Sequence, residues 1–199
     1  ILDNAVLYNP QPFLGFFSSI NPFNAQKATI YKGSIPAELG GRLSSVFDIT
    51  TKNGNPEKFS GEGAIGPITS NLSVSVPIEK NKSSILFGGR ATYSDWVLKA
   101  LENDDLANSQ ASFYDGILKY NNALNKNNFL ESTLYYSHDK FSLSSDSIYS
   151  YSNRLASIKW DHSFDEKNKG AVILTNSEYK YDIDYNTTLK NAFVSGFKL

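Results

Sequence analysis

The chain has 199 residues, with 19 basic and 20 acidic side chains and neither Cys nor Met. A net charge of −1 provides no broad field for nucleic acid, and without Cys there is no disulfide scaffold, Cys-ligated zinc or thiol catalysis. No run approaches the roughly 20 apolar residues of a spanning helix, whereas a transmembrane β-barrel stays open because only every second strand residue faces lipid. Translation starts with Met, so a chain without one is expected to be a processed or internal piece of a longer protein.

Residues 1–54 are rich in Gly, Pro and Phe and carry only short β-like pieces. Leu2-Asp3-Asn4-Ala5-Val6-Leu7-Tyr8-Asn9-Pro10 leads into Phe13-Leu14-Gly15-Phe16-Phe17. Then come Ala28–Gly33, Ile35–Ser45 with Glu38, Gly40, Gly41 and Arg42, and Val46-Phe47-Asp48-Ile49-Thr50-Thr51-Lys52. Asn53-Gly54 is a strong turn signal that closes this zone.

Residues 55–199 alternate between apolar and polar positions, the signature of strands with one greasy and one wet face. Eight strands are expected, at about 58–66, 69–78, 84–93, 113–121, 129–137, 154–164, 170–181 and 188–199. Leu72, Val74, Val76 and Ile78 share a face, as do Ile85, Phe87, Gly89 and Ala91. Leu118 and Tyr120 belong to the same side, and so do Ile158 and Trp160. Ala171, Ile173 and Thr175 are assigned to that apolar side, with Lys159 and Glu178 opposite. Leu86, Ile117 and Val172 break the pattern. Most of these runs exceed the usual 5–6 residues of a soluble sheet and match the roughly 9–11 of a tilted spanning strand. Connectors at 79–83, 122–128 and 165–169 are short; those at 94–112 and 138–153 read as long loops, and 182–187 as intermediate. Tyr93, Tyr114, Tyr120, Tyr136, Trp160, Phe164, Tyr179 and Tyr181 fall near strand ends, where an interfacial girdle would lie. The same rings would also suit the core of a soluble sandwich or lipocalin-like barrel. Strand length, loop asymmetry and low charge on the apolar face favour the membrane arrangement.

The text of residues 1–54 resembles the C-terminal half of the plug domain of TonB-dependent outer-membrane receptors of the Bacteroidetes type. Ile30–Gly33 fills the place of a strand ending in Lys/Arg-Gly, Ala37–Arg42 that of a small-residue turn, and Val46–Lys52 that of the strand before the barrel. Leu39 stands where Tyr is usual, and Leu2-Asp3-Asn4 where the pattern has Leu-Asp-Gly. The resemblance implies an all-β protein, a transmembrane antiparallel β-barrel with its plug domain in the lumen. Residues 1–54 would be the C-terminal part of the plug and 55–199 the N-terminal strands of the barrel. Plugged lumens go with about 22 strands, so eight would be roughly the first third of the wall. Glu38 and Arg42 are expected either to pair with wall residues such as Glu62, Arg90, Asp115 and Lys119 or to remain solvated.

By the same resemblance, the chain lies in the cell outer membrane and imports an extracellular nutrient, energised by TonB through a segment outside this chain. Its partners would be the lipid bilayer and a surface lipoprotein lid or other outer-membrane subunits. Candidate ligand contacts are Tyr8, Asn9, Phe13, Phe16, Phe17 and Trp96; the three Phe residues equally suit the plug's own core. A receptor-like barrel could instead serve as a non-transporting subunit of an outer-membrane complex.

No enzyme, cofactor or metal centre is expected. Gly61-Glu62-Gly63-Ala64-Ile65-Gly66 has nucleotide-fingerprint spacing but should open a helix, and Pro67 with strand-like alternation follows. Asp182-Ile183-Asp184-Tyr185-Asn186 lacks the Gly and final Glu of a calcium loop. His138 and His162 have no second ligand at useful spacing.

Overall fold

Asn and Asp side chains close the short turns that reverse the chain. Asp165 accepts from the backbone N–H of Lys167 (2.8 Å) and of Asn168 (2.7 Å), and Asn125 accepts from the N–H of Asn127 (2.9 Å). Asn81 takes a left-handed conformation (φ 60°), which Asn tolerates better than most residues. Between these turns the alternating runs pair as antiparallel strands. A computed structural model describes residues 1–9, 18, 20–41, 44–93, 96, 110–142, 147–185 and 188–198. The protein is all-β. A small sheet pairs β1 (Ala25–Tyr31) with β2 (Val46–Thr51). A second sheet comprises β3 (Ser60–Ile65), β4 (Thr69–Glu79), β5 (Ser83–Thr92), β6 (Gln110–Asn125), β7 (Asn128–Ser142), β8 (Ser147–Ser163), β9 (Lys169–Tyr185) and β10 (Thr188–Lys198). It is an eight-stranded meander in which each strand pairs with its sequence neighbours. β3 and β10 are its edges, and among the described residues they do not pair with each other.

All eight expected strands are present in order, and β6 to β9 run 15–17 residues. The expected long loop at 138–153 is therefore mostly strand: β7 continues to Ser142 and β8 begins at Ser147. Of the intermediate connector at 182–187, residues 182–185 belong to the end of β9. Alternation continues there in Tyr and polar residues, where an apolar count falls silent. Residues 61–66, with their nucleotide-like spacing, form the edge strand β3 and the turn after it.

The two faces of the large sheet are the reverse of a soluble sheet's. One face is covered by residues 1–54 and is largely polar. Ser73, Ser75, Arg90, Asp115, Lys119, Thr133, Asn153, Ser157, Thr175 and Ser177 are all buried on it. The open face carries Leu72, Val76, Phe87, Leu118, Leu134, Ile158, Trp160 and Val172, each more than 40% exposed. Leu86 and Ile117, which broke the alternation, are buried on the covered face. Ile117 packs with Tyr135 and Leu155 against Leu2, Ala5, Leu7, Ile20 and Ile49, so this exception belongs to the wall's share of a small apolar core.

The assignment of faces on β9 is corrected. Thr175 stands opposite buried Ser157, and Leu174 opposite exposed Ile158. Ile173, Tyr179 and Tyr181 therefore share the covered face, while Val172 and Glu178 lie on the open one. Adjacent strands are locked by backbone hydrogen bonds, and a one-residue difference in register exchanges the faces. Tyr179 and Tyr181 accordingly leave the expected girdle; Tyr93, Tyr114, Tyr136, Trp160 and Phe164 remain on the open face.

Candidate functional site

Leu2 and Ala5 form a tight bridge, with Asp3 (φ 42°) and Asn4 (φ 73°) in left-handed conformations. Asn reaches that region more readily than most residues, which accounts for Asn4 where the resembled pattern has Gly. The turn aims the Asp3 carboxylate into the interface with the sheet. There it accepts from the Thr51 backbone N–H (2.9 Å) and hydroxyl and from the Thr133 hydroxyl (2.9 Å). Lys119, 2% exposed, places its ammonium 3.4 Å from Asp3 and 3.5 Å from Glu131, and donates to the Thr51 carbonyl (3.2 Å). A buried charge is tolerated only when it is paired and hydrogen-bonded, and this one is held from both sides of the interface.

A second anchor lies on β5. Arg90 donates from Nε to Asp115 (2.6 Å), and its two terminal nitrogens reach the Ser18 hydroxyl and carbonyl at 3.0 Å each. Asn21 donates from Nδ2 to the carbonyls of Leu72 (3.1 Å) and Gly89 (3.0 Å). At Gly88 the approach is close enough that a Cβ there would stand 1.7 Å from the Asn24 side chain.

A third feature is aromatic. On the covered face of β7, β8 and β9, toward residues 143–146 and 186–187, rings form a near-parallel ladder. Phe141 stacks on Tyr149 (5.0 Å) and Tyr151 on Tyr181 (5.0 Å), with diagonal neighbours at 5.7 and 6.3 Å. Tyr8 reaches this ladder, 6.0 Å from Tyr179, and Asn9 hydrogen-bonds Tyr179. Beneath it is a cavity of about 20 Å³ lined by Asn9, Ser137, Asp139, Tyr151 and Asn153, large enough for one water. The Asn153 Oδ1 is buried there without a hydrogen-bond partner.

Of the expected ligand contacts, the structure thus brings together Tyr8 and Asn9. Trp96 donates instead to the Pro67 carbonyl (3.0 Å) in the β3–β4 turn. Phe13, Phe16 and Phe17 lie outside the described residues, as does Arg42. Of the expected interface charges, Arg90 is the buried anchor, Glu62 pairs at 3.2 Å with Lys52 just beyond β2, and Glu38 is exposed beside a groove on the β8–β9 side. Sequence reasoning proposed Lys119 and Asp115 but not their partners. Asp3 and Thr51 are 68 residues or more from the strands they hold, and only the fold joins them.

The fold and these anchors define an all-β protein with an antiparallel sheet, polar beneath a docked N-terminal segment and apolar on its open face. Comparison with known proteins gave no matching family model, curated protein or solved structure.

Proposed function

We propose that this chain is part of an outer-membrane receptor that binds an extracellular nutrient and imports it with energy from TonB. In this reading residues 1–54 are plug and the large sheet is barrel wall. The observation that carries it is the inverted sidedness: buried Arg, Lys, Asp and Ser on one face, exposed Leu, Ile, Phe and Val on the other. In water an apolar face of this extent would be covered by the protein itself. In lipid it is the stable arrangement, with the polar face turned to a lumen.

The register adds support. One cross-strand row on the open face runs Val74, Phe87, Leu118, Leu134, Ala156, Asn176, and the row below it Val76, Ile85, Tyr120, Ser132, Ile158, Leu174. The row above begins at Leu72 and ends at Arg154 and Glu178, an ion pair at 3.5 Å. The apolar stretch therefore slides toward the 164–168 turn on passing from β4 to β9. Strands tilted to a barrel axis need such a drift for the band to stay at one level. β8 and β9, 17 residues each, extend about 55 Å at ~3.3 Å per residue, well beyond a bilayer core. Their far ends carry the aromatic ladder, where an external ligand would arrive.

The test uses the full-length protein in its own cells. It should fractionate with the outer membrane, and growth on its nutrient should stop when TonB is deleted. Outer-membrane location with TonB-independent growth on every nutrient tried would favour a non-transporting subunit.

A further inference from the structure

Residues 1–199 contain 12 Tyr and neither Cys nor Met. Thiols and thioethers are the side chains that ordinarily take up oxidising equivalents; without them an oxidant is left with Tyr and Trp. Tyr residues are gathered at the outer end of the covered face. Tyr151 lies 5.0 Å from Tyr181 and 6.3 Å from Tyr179, in near-parallel planes, and Tyr179 is 6.0 Å from Tyr8. Rings this close exchange an electron readily, so a radical formed on one phenol can move among all of them.

Tyr8 differs from the others. Tyr151, Tyr179 and Tyr181 stand on strands already joined by backbone hydrogen bonds, and their rings lie face to face. Tyr8 belongs to the docked segment and meets Tyr179 at an interplanar angle of 34°. A tilted pair brings ring edges together, where the ortho carbons are, whereas a stacked pair presents faces. Asn9 hydrogen-bonds Tyr179 and holds the pair in place. Beside Tyr151, the cavity of about 20 Å³ lined by Asp139 and Asn153 has room for one water to receive the phenol proton. The Asn153 Oδ1, on a side chain 6% exposed, is left to orient that water, having no hydrogen-bond partner among the described residues.

We infer that Tyr8 and Tyr179 form an oxidative cross-linking site: peroxide activated by haem joins the two phenols by a carbon–carbon bond and locks the segment to β9, with Tyr151 relaying oxidising equivalents to the pair. Each phenol gives up one electron and one proton. The two phenoxyl radicals couple at their ortho carbons, and the hydrogens on those carbons shift to the oxygens as the rings regain aromaticity. One peroxide takes up the two electrons and two protons and leaves as two waters. The bond ties the segment to β9, away from the charged anchors at Arg90 on β5 and Lys119 on β6. This chemistry is independent of the receptor reading.

Full-length protein in detergent, treated with hydrogen peroxide and a haem peptide, should yield a linked pair of peptides containing Tyr8 and Tyr179, lighter by two hydrogens than their sum. It should also hold residues 1–54 against protease to higher urea than untreated protein. Tyr8→Phe should abolish the linked pair. Tyr151→Phe should lower its yield several-fold, with the segment still docked before oxidation. Tyr114 and Tyr136, a tilted pair at 5.9 Å on the open face, serve as the internal comparison and should link less. Linking of Tyr114 to Tyr136 in preference to Tyr8 and Tyr179, an equal yield of the Tyr8–Tyr179 pair from urea-unfolded protein, a yield unmoved by Tyr151→Phe, or unchanged protease release after linking would overturn the inference.

Discussion

At Lys119 a single ammonium holds carboxylates from both sides of the interface. Replacing it with Met leaves Asp3 and Glu131 facing each other in a water-poor site, at a cost of about 3–5 kcal/mol. Lys119→Met should therefore release residues 1–54 to protease at markedly lower urea than the native protein. Asp48 behaves oppositely. Burial is the main cause that raises its carboxyl above the ordinary 3.8; the Asp3 and Glu38 carboxylates add to it and Lys27 opposes it. A group whose pKa is higher folded than unfolded binds its proton more tightly when folded, so docking strengthens as pH falls from 7 through that raised value. The gain is complete near the unfolded value. Asp48→Asn should abolish this acid-side gain, visible as a flatter pH dependence of hydrogen exchange at β2. Gly88 is constrained by space: Gly88→Val should undock the segment, because Asn24 already occupies the place of the side chain.

At the scale of the element, the strand pattern was legible because positions on the open and covered faces have different chemistry, whatever the tertiary structure. The faces of β9 were not, because both contain apolar residues: Ile173 and Ala171 on one, Val172 and Leu174 on the other. Pairing with β8 decides between them. This changes the expected outcome of substitution. Phe87→Arg and Leu118→Arg, on the open face, should each cost about 2–4 kcal/mol of assembly in lipid and lower the yield of folded protein in vesicles. Ile173→Arg, which projects into the groove, should assemble normally; failure equal to that of Phe87→Arg would restore the original assignment. The ends of β7 to β9 escaped notice for a related reason. Their Tyr and Ser residues carry no apolar alternation, and the strands are supported there by ring stacking across the sheet.

At the scale of the whole chain, the decisive feature is that, among the described residues, the sheet has two unpaired edges and an uncovered apolar face. Unpaired edges and exposed Leu, Ile and Phe are incompatible with a stable monomer in water. Residues 1–199 expressed alone should aggregate without detergent. A monodisperse soluble monomer with native circular dichroism would contradict the membrane reading.

By itself the sequence determined eight strands, their order, most of their faces and the position of the short turns. These follow from local periodicity and from Asn, Asp and Gly at reversals. The Gly-rich start also marked a segment built for close approach. Only the tertiary structure decided which charges meet. Asp3 finds Lys119 and Thr133, and Ser18 finds Arg90, across separations that no local rule spans. It also decided that the segment is fastened by hydrogen bonds to β4, β5 and β6 and packs on β8 and β9 through Leu155 and Tyr179. Burial energies are set by which surfaces touch, and that is a property of the packed chain.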